Sequence, residues 1–112
     1  MSGNTIRIGN TARIKHDYGE EIIVATCEDV NSSKVSGLPI SFSSLENIGF
    51  ISTTFSDHIE VMKDVESYLI KYNPEKKLNI TIQREGETIA EISLQYIHEL
   101  QNVFFDLTGI YI

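Results

Sequence analysis

Apolar and polar residues alternate along the first third of the chain, which is the period of a half-buried β-strand. The alternation covers residues 5–8 and 11–15, and a β-branched run follows from Glu21 to Cys27. The turn formers Asp17-Tyr18-Gly19 separate the second and third of these stretches, and Lys34-Val35 adds a short strand. The pattern predicts a small antiparallel meander of strands.

The next segment predicts a short helix over residues 43–48. Ser43 and Glu46 match the Ser-x-x-Glu pattern of a capping box. Gly49 is the expected end of this helix, because glycine adopts positive φ without a steric cost. Residues 50–55 then have the composition of a strand.

Residues 57–72 fit two different structures. Apolar side chains at helical spacing favour a helix, whereas Tyr68-Leu69-Ile70 before the turn at Asn73-Pro74 is typical of a strand. Two further strands follow, over residues 78–83 and 88–92, joined by a tight turn at Glu85-Gly86-Glu87. The pattern therefore leaves open a three-stranded meander or a helix followed by a hairpin.

The last segment predicts an amphipathic helix that lies on a sheet. Ser93 is the expected N-cap, and Gly109 is the expected end. Between them the apolar residues follow helical spacing: Leu94, Ile97, Leu100, Val103, Phe104 and Leu107. Together the elements predict an α+β fold in a single domain, residues 1–112, with an antiparallel sheet, a short central helix and a C-terminal helix packed on the sheet.

The charge balance restricts the partners that we expect. The chain has 16 acidic and 9 basic residues, a formal charge of −7, and its basic residues are scattered. Direct binding to nucleic acid or to an anionic membrane is therefore disfavoured. An acidic surface suits a host protein that is basic or that itself binds nucleic acid. Acidic candidates for such contacts lie at predicted turns and strand ends: Asp17, Glu20, Glu21, Glu28 and Asp29.

Residues that could support catalysis do not form a recognisable arrangement. His16, His58 and His98 are not at metal-ligand spacings. Cys27 lies in an apolar run, where a buried, unreactive thiol is expected. We therefore predict a protein that is not an enzyme and has no cofactor. The absence of a signal peptide, and of any run near the ~18 apolar residues of a membrane span, predicts a cytoplasmic location.

The apolar residues Tyr111 and Ile112 at the end of the chain have two interpretations. They form a final strand, or they contact another subunit in a homo-oligomer, because apolar termini are usually docked or paired.

Three blocks of the sequence carry a family resemblance. Ile6-Arg7-Ile8-Gly9-Asn10 matches an "LRIGN" opening, and Leu38-Pro39-Ile40-Ser41 through Gly49-Phe50 matches "PIPLTEEILLKNGF". The segment from Tyr96 to Gly109 matches "YVHQLQNLYFALTG". In these blocks the chain resembles a group of small proteins from phages and prophages of Bacteroidetes, a group without an established activity. The resemblance implies an α+β domain and favours strand for residues 66–72.

The third block also contains a candidate binding site. His98, Gln101 and Asn102 offer many hydrogen-bond donors and acceptors on one helix. The alternative interpretation is structural: these side chains tie a sheet edge or the N-terminal loops to the helix.

The sequence and the resemblance together suggest a non-enzymatic binding protein of phage or prophage type. We expect an acidic inhibitor of a host protein, such as a defence factor. One alternative is an oligomeric sponge that sequesters a small molecule or a nucleotide signal; another is a toxin-immunity protein. The sponge requires its basic residues to converge on one pocket: Arg7, Arg13, Lys15, Lys34 and Arg84.

Overall fold

A computed structural model describes residues 6–26, 32, 34–57 and 59–112. In these residues the chain forms two antiparallel sheets, of three and five strands, and two helices, which confirms the predicted α+β class. The chain divides into two compact units. The first comprises Met1–Ile40 and Gln95–Ile112, and the second comprises Ser41–Leu94.

The first unit contains the three-stranded sheet. Its strands are β1 (Thr11–His16), β2 (Gly19–Val24) and β3 (Val35–Gly37), in the order β2-β1-β3. The predicted turn at Asp17-Tyr18 joins β1 to β2, with His16 opposite Gly19. Because β1 pairs on both sides, it is the central strand of this sheet.

Residues 6–8 do not continue the sheet, although their alternation predicts a strand. The backbone turns at Gly9, which has a φ of 92°. The Asn10 side chain accepts a hydrogen bond from the backbone N–H of Arg7 at 2.6 Å, and the Asn10 N–H donates to the Arg7 carbonyl at 3.0 Å. This local turn satisfies backbone groups that a strand would need to pair. The predicted strand Glu21–Cys27 ends earlier than expected, since β2 ends at Val24 and Ala25 and Thr26 are not in a strand; Cys27 itself lies outside the described residues.

The C-terminal helix of the first unit, α2 (Ile97–Thr108), begins later than the sequence predicts. Its N-cap is Tyr96 and not Ser93. The Glu99 carboxylate accepts the backbone N–H groups of Gln95 and Tyr96, both at 3.0 Å, and so caps the first turn. Gly109 ends the helix as predicted, with a φ of 77°.

Helix α2 lies against β1, and the core of the first unit is formed between them. Its fully buried side chains include Ala12 from the sheet and Ile97, Leu100 and Phe104 from the helix. The residues after the helix form no strand, contrary to the final-strand interpretation of Tyr111 and Ile112.

The second unit contains the five-stranded sheet and a short helix. The helix is α1 (Phe42–Asn47). The strands pair in sequence order: β4 (Ile51–Thr54), β5 (Ile59–Val65), β6 (Tyr68–Tyr72), β7 (Ile80–Arg84) and β8 (Glu87–Ile92). Residues 57–72 therefore follow the strand interpretation, with two strands that meet at a tight turn at residues 66–67.

The cap of α1 differs from the predicted one. Ser41, not Ser43, is the N-cap, and its side chain accepts the backbone N–H of Ser44 at 3.1 Å. Ser44 completes the reciprocal bond with its own hydroxyl. Glu46 accepts instead from the Ser52 hydroxyl at 3.1 Å. The helix starts before the predicted cap because serines occupy both the N-cap and the N3 position of a capping box that begins two residues earlier.

The buried side chains of the second unit share one face of its sheet. Val61 lies beside Tyr72, and Ile70 lies beside Ile82 in the next pair of strands. Residues directly opposite each other in antiparallel strands point to the same face. Leu45 from α1 and Phe50 from the segment before β4 complete this core.

Candidate functional site

The polar residues predicted as a binding site on the C-terminal helix are buried. Gln101 is 6% exposed, and its side chain makes three hydrogen bonds within the first unit. Its Oε1 accepts the Thr11 N–H at 2.7 Å, and its Nε2 donates to Thr11 Oγ1 at 3.1 Å and to the Ile112 carbonyl at 3.0 Å. The amide therefore joins β1 and the end of the chain to α2, as in the structural interpretation.

Asn102 belongs to a second set of buried hydrogen bonds. It is 2% exposed, and its Oδ1 accepts a hydrogen bond from Nδ2 of Asn10 at 2.9 Å. Asn10 in turn holds the backbone of Arg7 in the turn described above. Asn10 was not among the predicted site residues, although it lies in the first resemblance block.

His98, the third predicted residue, is also buried rather than at the surface. Its ring stacks on Tyr96, with 5.6 Å between the ring centroids. Both rings lie over Gly37 of β3: a Cβ at that position would be 2.7 Å from Cδ1 of Tyr96 and 2.8 Å from Cε1 of His98. The absence of a side chain at Gly37 is what allows this close approach.

Replacing Gly37 by alanine should lower the free energy of unfolding by about 1–2 kcal/mol, because the new methyl group overpacks a closed site. Urea denaturation followed by circular dichroism measures this change. An unchanged midpoint would contradict the close packing of His98 and Tyr96 over β3.

A cavity of about 280 Å³ lies beside these amides in the first unit. Arg7 lines it, but its guanidinium makes two hydrogen bonds to the Asp106 carboxylate, at 2.9 and 3.1 Å. That contact raises the pKa of Arg7. Phe105 and Tyr111 also line the cavity and stack on each other, with 4.3 Å between the ring centroids.

The basic residues that a sponge requires do not converge on this cavity. Arg13 lies 3.4 Å from a carboxylate oxygen of Glu20 and donates to Ser36. Arg84 belongs to the second unit, where its guanidinium lies over the Tyr68 ring at 5.7 Å. Of the predicted cluster, Arg7 is the member that lines the cavity.

A larger cavity, of about 660 Å³, lies in the second unit. Phe42 and Tyr72 meet edge to face in it, with 5.8 Å between centroids, and burial raises the pKa of the Tyr72 phenol. Charged side chains of both signs line the cavity, so its charge does not select one class of ligand. They are Asp57, Glu60, Lys71, Glu75 and Lys76.

The predicted acidic residues of the N-terminal hairpin are exposed, and two of them lie close to basic side chains. Glu20 is within ion-pair distance of Arg13, and an oxygen of Glu21 lies 3.3 Å from Nε2 of His16. Asp17 lies in the turn between β1 and β2. Glu28 and Asp29 lie outside the described residues.

A second acidic cluster forms in the second unit, at residues that were not predicted as contacts, although Glu85 and Glu87 were predicted to lie at a tight turn. The turns that join β5 to β6 and β7 to β8 lie at the same end of the sheet, because alternate turns of a meander share an end. The Glu85 N–H donates to the Ser67 carbonyl at 3.2 Å and links the two turns. We call the four exposed carboxylates at this end the acidic end: Asp64, Glu66, Glu85 and Glu87.

Asp64 and Glu66 were missed because the sequence leaves residues 57–72 open between helix and strand. A helix would have placed the two carboxylates away from the later hairpin. The signal that could have found them is Glu66-Ser67 between two strand-like stretches, since serine favours turns.

The described part of the chain offers neither a metal site nor a membrane span. No three His, Cys, Asp or Glu side chains there are grouped so that they could hold a metal ion. No helix of the described residues is long and apolar enough to cross a membrane.

No known protein family, curated protein or solved structure matches the chain.

Proposed function

We propose that the protein is a non-enzymatic binding protein that inhibits a basic host protein, with a defence factor as the class of target. The resemblance to phage and prophage proteins supports a host target. The observation that carries the proposal is the acidic end of the five-stranded sheet. It places four carboxylates at two linked turns and at the strand ends beside them.

The charge of the acidic end is suited to a basic partner. Arg84 is the one cation within the two turns and their flanking residues, from Asp64 to Tyr68 and from Arg84 to Glu87. Its guanidinium lies over the Tyr68 ring. Four carboxylates against one guanidinium give a negative potential, which accelerates the encounter with a positive surface and aligns the two proteins.

The backbone of the acidic end is in an unfavourable conformation at two glutamates. Glu66 has a φ of 55° and Glu85 has a φ of 51°. In this left-handed region a residue with a Cβ costs about 1–2 kcal/mol, and glycine or asparagine is usual. Glutamate occupies two positions where glycine would be less strained, which supports a role for the two carboxylates.

The N-terminal hairpin is a weaker candidate for the principal contact. Glu20 lies within ion-pair distance of Arg13, so its charge is already partly compensated. We therefore place the principal contact at the acidic end. A toxin-immunity protein would use the same acidic contact with a different partner.

Reversing the charge of the acidic end is expected to abolish capture of the partner. The wild-type protein and the Glu66→Lys/Glu85→Lys variant are immobilised, and proteins retained from a Bacteroidetes host lysate are quantified by mass spectrometry. The wild type should retain a basic protein in stoichiometric amount. The purified partner should bind the variant at least about tenfold more weakly, and added salt should weaken its binding to the wild type.

The Glu20→Lys/Glu21→Lys variant is the matched control, because it changes the net charge by the same amount on the other unit. It should bind the partner with close to wild-type affinity. Loss of binding in this control with retention in the acidic-end variant would contradict the assigned site. A partner that is acidic, or whose binding is insensitive to salt, would contradict the proposed function.

A further inference from the structure

Strand β4 has a free edge that differs from the other edges of the described sheets. In the described residues, β4 pairs with β5 alone, in regular register from Ile51–Met62 to Thr54–Ile59. All four of its residues are exposed. No charged residue occurs from Asn47 to Ser56, and the strand has neither a proline nor a bulge.

Free edges normally carry features that prevent pairing with another chain, such as charges or very short strands. The other edges of this protein have them. Strand β2 carries Glu20 and Glu21, β8 carries Glu87 and Glu91, and β3 is three residues long. Strand β4 is one residue longer than β3 and carries no charge, and its Ile-Ser-Thr-Thr sequence is rich in β-branched residues, which favour pairing.

We propose that β4 pairs antiparallel with β4 of a second copy of this chain, joining the two five-stranded sheets into one continuous sheet. Pairing with a second copy costs less electrostatic repulsion through β4 than through β2 or β8. Two copies of a chain with a net charge of −7 repel each other, and pairing through β2 or β8 would also bring glutamates together across the new ladder. Pairing through β4 brings no charged side chains face to face.

The exposed apolar side chains select one register. In a two-fold antiparallel pair, opposed residues lie on the same face, so a residue on the axis faces its own copy. With Thr53 on the axis, Ser52 faces Thr54 of the second copy, and Ile51 faces Phe55, the residue directly after β4. Ile51 is 68% exposed and Phe55 is 46% exposed in the single chain. This register covers both side chains twice, once on each side of the axis, and Thr53 faces Thr53.

Replacing Thr53 by lysine tests the interface. The side chain is exposed, so the fold should tolerate it, but two ammonium groups would then face each other across the axis. We expect the wild-type protein to be a dimer by analytical ultracentrifugation, and Thr53→Lys to raise the dimer dissociation constant by about tenfold or more. Thr88→Lys, which also alters an exposed threonine but on β8, is the matched control and should remain dimeric.

Disulfide cross-linking tests the register independently of any loss of stability. In a Cys27→Ala background, Thr53→Cys should form a covalent dimer under mild oxidation, because directly opposed Cα atoms lie about 4.5–5.5 Å apart, within disulfide range. Ser52→Cys should cross-link far less, because its copies are offset along the strands. Three results would overturn the proposal: a wild-type chain that is monomeric up to millimolar concentration, a dimer unaffected by Thr53→Lys, or equal cross-linking of the two cysteine variants.

Discussion

Replacing Phe104 by alanine is expected to destabilise the protein by about 3–5 kcal/mol. Phe104 is fully buried on α2, among the side chains that form the core between the helix and β1. Truncation removes the apolar contacts of the whole ring and leaves a cavity in a close-packed interior. Urea denaturation, followed by circular dichroism, measures the change in the free energy of unfolding.

Leu107→Ala is the control for this prediction. Leu107 lies on the same helix, three residues later, but is 48% exposed. Its truncation should cost well below half as much as that of Phe104, because a large part of its surface already contacts water. Equal losses for the two variants would contradict the orientation of α2.

The buried pair Asn10 and Asn102 should show the second largest effect. Replacing either residue by alanine is expected to cost about 2–3 kcal/mol, because the partner amide is left buried with an unsatisfied hydrogen-bonding group. The double variant should cost about 1 kcal/mol less than the sum of the two single changes, since both ends of the 2.9 Å hydrogen bond are then gone. The same denaturation measurements on the four proteins give this coupling.

The same four proteins also separate the two interpretations of His98, Gln101 and Asn102 on the C-terminal helix, as a binding site or as a structural link. If Asn102 only ties the N-terminal turn to α2, stability falls and partner binding by the folded fraction is unchanged. An Asn102→Ala variant with wild-type stability but no partner binding would instead identify the helix as the binding site. Coupling near zero would contradict a direct bond between the two amides.

Much of the fold could be predicted, because local patterns and final structure agree. The apolar spacing before Gly109 predicted the last helix, and the turn at Glu85-Gly86 predicted the last hairpin. The caps were harder to predict. Ser93 has the right chemistry for an N-cap, but Asn79 holds Leu94 through two hydrogen bonds, at 2.8 and 2.9 Å, and the chain stays extended there. Such long-range contacts override a local preference.

The candidate sites were predicted less well, because residue chemistry does not reveal burial. Gln101 and Asn102 were recognised for their hydrogen-bonding capacity, and both amides bond to partners within the first unit. To predict the acidic end from the sequence, one must know that β5 pairs with β6 and that β7 pairs with β8. The pattern of residues 57–72 leaves the first of these pairings open. Charge alone could not indicate that Glu66 and Glu85 lie on neighbouring turns.

The first unit is built from two segments far apart in the sequence, and an antiparallel bridge between Pro39 and Tyr96 joins them where the second unit begins and ends. The Ile40 N–H donates to the Gln95 carbonyl, and the Ile97 N–H donates to the Leu38 carbonyl, both at 2.8 Å. Paired positions of this kind lie about 5 Å apart, a gap that a two-residue turn spans. Residues 41–94 are therefore an insertion whose two ends are adjacent. A segment of this kind can be exchanged or shortened as one block during evolution, while the backbone on either side of it, up to Ile40 and from Gln95 onward, keeps its course.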